Sequence, residues 1–473
     1  MMRRYVMPLF AGNAVALGSV GFSYFMYSRL LTAQEFGAYA AALAVGNLGL
    51  LVLDGGTRTS IIKHPADLTR EEEGALLNFM LAFSALLLLA VVLGQNAVGH
   101  FYPAARAQTQ FVAAFAAVYL VTYPWIGLST AAIERSLAYS RIAWIESIGI
   151  VLERAAPVIF IMFGHLRLGA FVVGLALGRA LRIIMLSRIH RISFTRNTGT
   201  SSRVVRSLLR EGLWFQAGGA ASLIRDNLHV IIVGPLFGAL WVGYYAWALQ
   251  LCMLASQIFV QISARVSLSV TARSTQFSER WSTVAQQLAM LTAITAPILT
   301  AVIILAPNVD RMFFANKWHA AVLLLPLLCA RMIPGIACAP VGALLLVERG
   351  AGRYAMALWI WTALEAAAAY GSVKLLGPFG LAVSYALAAW FGVFVFAKGF
   401  GSLAPALFSR ICQIVFGRPA LWLSAAVAGT FIVCTDLVGR SAQGWIASLC
   451  AASLAAVYWA DSAIRTALRG GTA

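Results

Sequence analysis

The residues in this chain with the most chemistry available to them are charges placed where charges are costly. Asp54, Arg58, Glu146, Glu153, Arg154, Arg225, Asp226, His229, Arg331 and Glu365 all fall within or at the ends of long apolar stretches. In a bilayer each such group costs about 2.5–3.5 kcal/mol on insertion scales, so each must be paired or put to use. Adjacent residues on a helix point about 100° apart, so Glu153-Arg154 and Arg225-Asp226 do not neutralise themselves and each charge needs a separate partner. Two readings follow. In one, arginines and carboxylates lock neighbouring helices together. In the other, Arg225, Arg331 and Arg154 face a water-filled cavity between two halves of the chain and hold an anion. The planar, always-charged guanidinium suits phosphate oxygens. Asp226, Glu153, Glu365, Asp54 and His229 are then the candidates for ion coupling or helix pairing. Asp54, Arg58 and Glu146 lie close enough to the ends of their spans to snorkel to the interface.

No catalytic arrangement accompanies these charges. There is no P-loop lysine motif, and His64, His100, His165, His190, His229 and His319 are scattered singly rather than paired for a metal. The six cysteines, Cys252, Cys329, Cys338, Cys412, Cys434 and Cys450, sit in or beside apolar spans without ligand spacing and are read as packing residues. No enzyme activity, metal or cofactor is expected. The net charge of +18 would suit nucleic acid only if clustered on a folded domain, and no segment of soluble-domain size separates the apolar runs.

The elements that must hold the charges follow from composition. Hydrophobic residues make up 61% and charged residues 11% of the chain, far from the roughly 25% charged of a soluble domain. The expected fold class is an all-α integral membrane protein. Spans are read near 5–28, 37–56, 75–94, 110–133, 142–163, 168–187, 213–234, 239–263, 285–306, 319–347, 354–373, 378–398, 418–435 and 443–460, each long enough for a hydrocarbon core of about 30 Å. The span at 319–347 carries Pro326, Pro334 and Pro340 and is expected to kink or tilt. With the N-terminus inside, twenty-five lysines and arginines fall in inner segments and seven in outer ones, which places both termini in the cytoplasm. The basic start, Met1 to Arg4, enters an apolar run without a small-residue cleavage site and is read as a retained first helix.

The connection 188–212 separates an N-terminal lobe, 1–187, from a C-terminal lobe, 213–398, with two further helices in 399–473. Within the connection, Val204, Val205, Leu208 and Leu209 share one helical face and arginines another, as in an interfacial helix on an anionic leaflet. Leu30, Gly37, Tyr39, Ala40, Ala42 and Leu43 match Leu236, Gly243, Tyr245, Ala246, Ala248 and Leu249 at a constant offset, so the lobes read as parallel repeats of six helices.

Several segments resemble the polysaccharide-exporter flippases of the multidrug/oligosaccharidyl-lipid/polysaccharide (MOP) superfamily. They are Ser28-Arg29-Leu30-Leu31 with Glu35-Phe36-Gly37-Ala38-Tyr39 and Leu53-Asp54-Gly55-Gly56; Arg225-Asp226-Asn227-Leu228 with Val242-Gly243-Tyr244-Tyr245; Lys317-Trp318; and Glu348-Arg349-Gly350. The resemblance implies two six-helix lobes facing each other, and a bacterial inner-membrane flippase that turns a polyprenyl-diphosphate-linked oligosaccharide between leaflets by alternating access. It maps a lobe-lining arginine set onto Arg29, Arg58 and Arg225, to which burial adds Arg154 and Arg331. The partners implied are the lipid-linked oligosaccharide, membrane lipids, and a polysaccharide polymerase with its chain-length proteins. His229 stands where family members often carry an acid. The alternatives are a cation-coupled multidrug exporter of the same superfamily, a lipid II flippase, and a non-transporting scaffold.

Overall fold

A computed structural model describes residues 2–63, 68–101, 109–135, 139–164, 166–192, 199–273 and 276–417, with 425, 427–429 and 431. Every regular element among the described residues is a helix, as the composition demands. The spans expected at 418–435 and 443–460 lie outside the described residues, apart from a few positions of the first.

The helices are α1 (Met2–Leu30), α2 (Ala33–Asp54), α3 (Thr57–Lys63), α4 (Arg70–Phe101), α5 (Thr109–Arg135), α6 (Tyr139–Gly164), α7 (Gly169–Ile189), α8 (Gly199–Asp226), α9 (Gly234–Arg273), α10 (Phe277–Phe314), α11 (His319–Leu376), α12 (Gly380–Lys398) and α13 (Ala404–Phe416). A π-helical turn, His229–Val233, joins α8 to α9. Eight stretches among the described residues are long and apolar enough to cross a membrane, and one of them, His319–Lys398, is long enough for several passes. That stretch bends at Gly350, whose φ of 83° only glycine adopts without strain, and turns again through Gly377–Phe379. The chain is a multi-pass, all-helical membrane protein.

By internal contacts the chain divides into two compact units, Met1–Gly243 and Tyr244–Ala473. In the first, α6 packs on α1 and α7, and α5 packs on α2, α4 and α7. The short α3 and the basic α8 close against α5, α2 and α4. Along α8, Val205 and Leu208 are buried against Leu53, Ile61, Leu76 and Leu77, while Arg203, Arg206 and Arg210 are exposed. The apolar face of that segment is thus covered by protein. In the second unit α11 and α12 form the largest packed surface, with α10 and α13 laid beside them.

Local signals set the helix ends. Thr32 and Glu35 form a reciprocal capping box at the start of α2, the Thr32 hydroxyl accepting from the Glu35 N–H at 3.2 Å and Glu35 Oε2 from the Thr32 N–H at 2.9 Å. Asp54-Gly55-Gly56 ends α2 and begins α3, with both glycines at positive φ.

The two matched sequence segments meet in the first unit. A β-carbon on Gly37 would lie 1.8 Å from the Ala239 carbonyl oxygen, and one on Gly243 would lie 1.9 Å from the Ala33 carbonyl oxygen. Ala33 and Ala239 also stand at the constant sequence offset, so the two small-xxx-small pairs press on each other reciprocally. The kink at Gly238 in α9 makes Ala239 the start of a fresh helical segment, as Ala33 is in α2.

Candidate functional site: buried arginines

α6 and α7 carry the densest charge. Glu153 on α6 pairs with Arg182 at 2.6 Å and lies 3.9 Å from Arg179, both on α7, and all three side chains are largely buried. The helices can come this close because Gly178 has no side chain: a β-carbon there would sit 2.3 Å from the Glu153 stem. Arg179 also stacks its guanidinium 3.8 Å from the Tyr119 ring centre and donates to the Thr122 hydroxyl at 3.1 Å. Counting loop charges along the sequence assigns Arg179 and Arg182 to a cytoplasmic connection; in the structure they are helix-interior ion-pair partners.

Arg154, next along α6, points elsewhere. Its guanidinium donates to the Tyr39 hydroxyl of α2, and its carbonyl accepts from the Tyr27 hydroxyl of α1 at 2.6 Å. Tyr27, Tyr39 and Phe171 cluster here, with ring centres 4.4–5.8 Å apart. No carboxylate among the described residues lies within ion-pair distance of Arg154. A mostly buried cation is therefore held by a tyrosine hydroxyl, with no carboxylate at ion-pair distance among the described residues.

The remaining candidates divide by partner. Arg331 in α11 is paired with Glu365 at 3.3 Å and lies 3.8 Å over the Tyr385 ring of α12, with side chains 8% and 0% exposed. Each unit thus buries an acid, an arginine and a tyrosine together. Arg58, half-exposed on α3, makes a two-pronged pair with Glu134 of α5. Asp54 is used by its own turn. Its carboxylate accepts from the Gly56 N–H at 3.1 Å, the Thr57 hydroxyl at 3.3 Å, and the Tyr123 hydroxyl of α5 at 2.7 Å. Arg29 is exposed at the end of α1. Arg225, at the end of α8, forms an ion pair at 3.6 Å with its neighbour, the half-exposed Asp226, contrary to the expectation that these adjacent charges do not pair with each other, and His229 is buried in the π-helical turn that follows.

Sequence reasoning did not single out Tyr27, Arg179, Arg182 or Asp310, and it read Tyr39 as part of the repeat and the family-like segment, not as a partner of Arg154. Asp310 is buried near the end of α10, and its carboxylate accepts from the Trp318 N–H at 3.0 Å. Trp318 in turn stacks on Trp247 with ring centres 5.3 Å apart. Together they fix the Lys317-Trp318 turn.

The fold and these charges define a class, a multi-pass helical membrane protein with arginine-centred polar clusters inside its spans. The structure is similar to that of the lipid II flippase MurJ in an inward closed conformation, with a TM-score of 0.72 and 11% identity, covering 98% of this chain and 99% of that one. It is also similar to an inward-facing multidrug resistance MATE family transporter of the MOP superfamily, with a TM-score of 0.60 and 14% identity over 85% of this chain and 99% of that one. At such identities the likeness is one of fold. A family profile described as polysaccharide biosynthesis protein matches residues 26–323, and the chain belongs to that family. The lipopolysaccharide biosynthesis protein WzxC of Escherichia coli (strain K12) is 22% identical over 219 residues, 46% of this chain and 44% of that protein. The chain therefore aligns with less than half the length of that relative.

Proposed function

We propose that this protein is a flippase of the bacterial inner membrane that moves a polyprenyl-diphosphate-linked oligosaccharide between leaflets by alternating access. Both termini lie in the cytoplasm in this reading. The lobes are 1–187 and 213–398, with 188–212 as the basic connection and 399–473 as a terminal addition. Family membership and the partial likeness to WzxC favour a surface-polysaccharide repeat unit over lipid II. The fold correspondence with a lipid flippase over 98% of the chain, against 85% for the multidrug transporter, favours a lipid-linked cargo.

The single observation that carries the anionic cargo is Arg154. A largely buried guanidinium with no carboxylate of the described residues at ion-pair distance, and oriented by the Tyr39 hydroxyl, is receptive to an anion. We assign the diphosphate contacts to Arg154 and Arg225, with Arg331, Arg58 and Arg29 in supporting positions along the route. Arg331 and Arg58 already hold carboxylates and would exchange them for phosphate only transiently. A polymerase and chain-length proteins are the expected downstream partners. In a strain lacking the chromosomal copy, the wild-type gene should restore polysaccharide export. The Arg154→Ala/Arg225→Ala variant should instead leave lipid-linked oligosaccharide facing inward; unimpaired export by a variant present at wild-type level would overturn the assignment.

A further inference from the structure

A second polar pocket lies away from these arginines. A cavity of about 400 Å³ opens between the last three turns of α5 and the end of α7, lined by Trp125, Ser129, Ile183, Arg188, Arg191 and Ile192 with His190 at its rim. Its volume is that of a small-molecule site. Arg188 and Arg191 are exposed at its mouth, and neither meets a carboxylate among the described residues. Ser129 is buried in its wall, only 4% exposed. Ser129 lies six residues before the end of α5 at Arg135, which sets it about 9 Å below that helix end. His190 at the rim is held in place, its Nε2 3.1 Å from both carboxylate oxygens of Glu73 on α4. That contact also holds the His190 imidazole above its ordinary pKa.

The pocket thus has two guanidiniums without a carboxylate partner among the described residues and a buried hydroxyl, with His190 tied to Glu73 at the rim and Trp125, Ile183 and Ile192 as an apolar wall. We propose that it binds the phosphate of an anionic membrane lipid, with Arg188 and Arg191 on the phosphate oxygens, the Ser129 hydroxyl donating from the wall, and the apolar wall against the start of the acyl region. A basic pocket between helices at the membrane surface is what such headgroups require. The site takes no part in cargo recognition by Arg154 and Arg225, and it stands whether or not that reading holds.

The test uses the full chain in phosphatidylcholine nanodiscs and measures binding of a fluorescent short-chain phosphatidylglycerol. Arg188→Gln/Arg191→Gln should weaken binding roughly thirtyfold, from about fivefold per arginine at a membrane surface. Arg203→Gln/Arg206→Gln removes two equally exposed arginines from α8 and should change binding less than about threefold. Inorganic phosphate is added as competitor. If millimolar phosphate leaves the lipid probe bound, the ligand is the lipid headgroup. If phosphate displaces the probe and itself binds with the same dependence on Arg188 and Arg191, the pocket recognises phosphate from solution. Equal losses in the two double variants, or none in either, would show general surface electrostatics and overturn the proposal.

Discussion

Replacing Gly37 by alanine adds one methyl group at the point where α2 and the Ala239 segment of α9 touch. The added carbon would stand 1.8 Å from the Ala239 carbonyl oxygen and 2.8 Å from the Gly243 nitrogen. Both neighbours are backbone, so no side chain can swing away. To recover a van der Waals separation α2 and the Ala239 segment must part by roughly 1.5–2 Å. Overpacking of this kind costs about 1–3 kcal/mol, and alanine's better helix propensity returns less than about 1 kcal/mol of it. Gly243→Ala forces the same two segments apart from the other side, 1.9 Å from the Ala33 oxygen. The double variant therefore pays the separation once, and its destabilisation should fall short of the sum of the two singles by about 1 kcal/mol or more. Gly18→Ala is the control, because a methyl there meets nothing within 4 Å. Equilibrium unfolding in detergent, followed by tryptophan fluorescence, reads all four variants. Wild-type stability in Gly37→Ala, or strict additivity in the double variant, would refute the close crossing.

Three further outcomes follow from the same geometry. Glu365→Ala should destabilise by about 3–5 kcal/mol, because it strands Arg331 as a buried cation, while Arg331→Met/Glu365→Leu should recover most of that loss; a double variant no more stable than the single would contradict the pair's structural role. Gly178→Leu should drive α6 from α7 and break the Glu153–Arg182 contact, read as a loss of folded yield far exceeding that of Gly18→Leu. His190 lies beyond the end of α7, and its contact with Glu73 raises its pKa in the folded protein. A raised folded value means the contact stabilises fully below the ordinary histidine pKa of about 6.5 and fades as pH rises through the folded value. The difference in melting temperature between wild type and Glu73→Gln should therefore be larger at pH 6 than at pH 8.5; a pH-independent difference would count against it.

Much of the fold was legible because a bilayer imposes a crude rule, about twenty apolar residues per pass. The spans read at 110–133 and 168–187 coincide closely with α5 and α7. The rule is silent about helices that do not cross. α3 and α13 escaped it, being seven and thirteen residues long. Of the candidate site, sequence identified the unusual residues but not their pairings. Arg331 and Glu365 were each conspicuous, yet only the bend at Gly350 brings them together. Arg179 and Arg182 were hidden because arginine near a span end ordinarily belongs to a loop. The available signal was Gly178 directly before Arg179, a small residue where a charged neighbour needs room. Arg154 was visible as a buried cation, but that its partner is a tyrosine hydroxyl and not an acid depends on side-chain direction, which spacing alone does not give.

The central claim is that an anionic lipid diphosphate crosses by way of Arg154 and Arg225. Its most direct measurement is leaflet transfer of a fluorescent polyprenyl-diphosphate oligosaccharide in liposomes containing the purified protein. The account predicts transfer by the wild type, its loss in Arg154→Ala/Arg225→Ala, and partial recovery with Arg154→Lys, which keeps the charge but not the fork. Transfer by the alanine double variant at the wild-type rate, or proton-driven movement of lipophilic cations in place of the lipid, would contradict it.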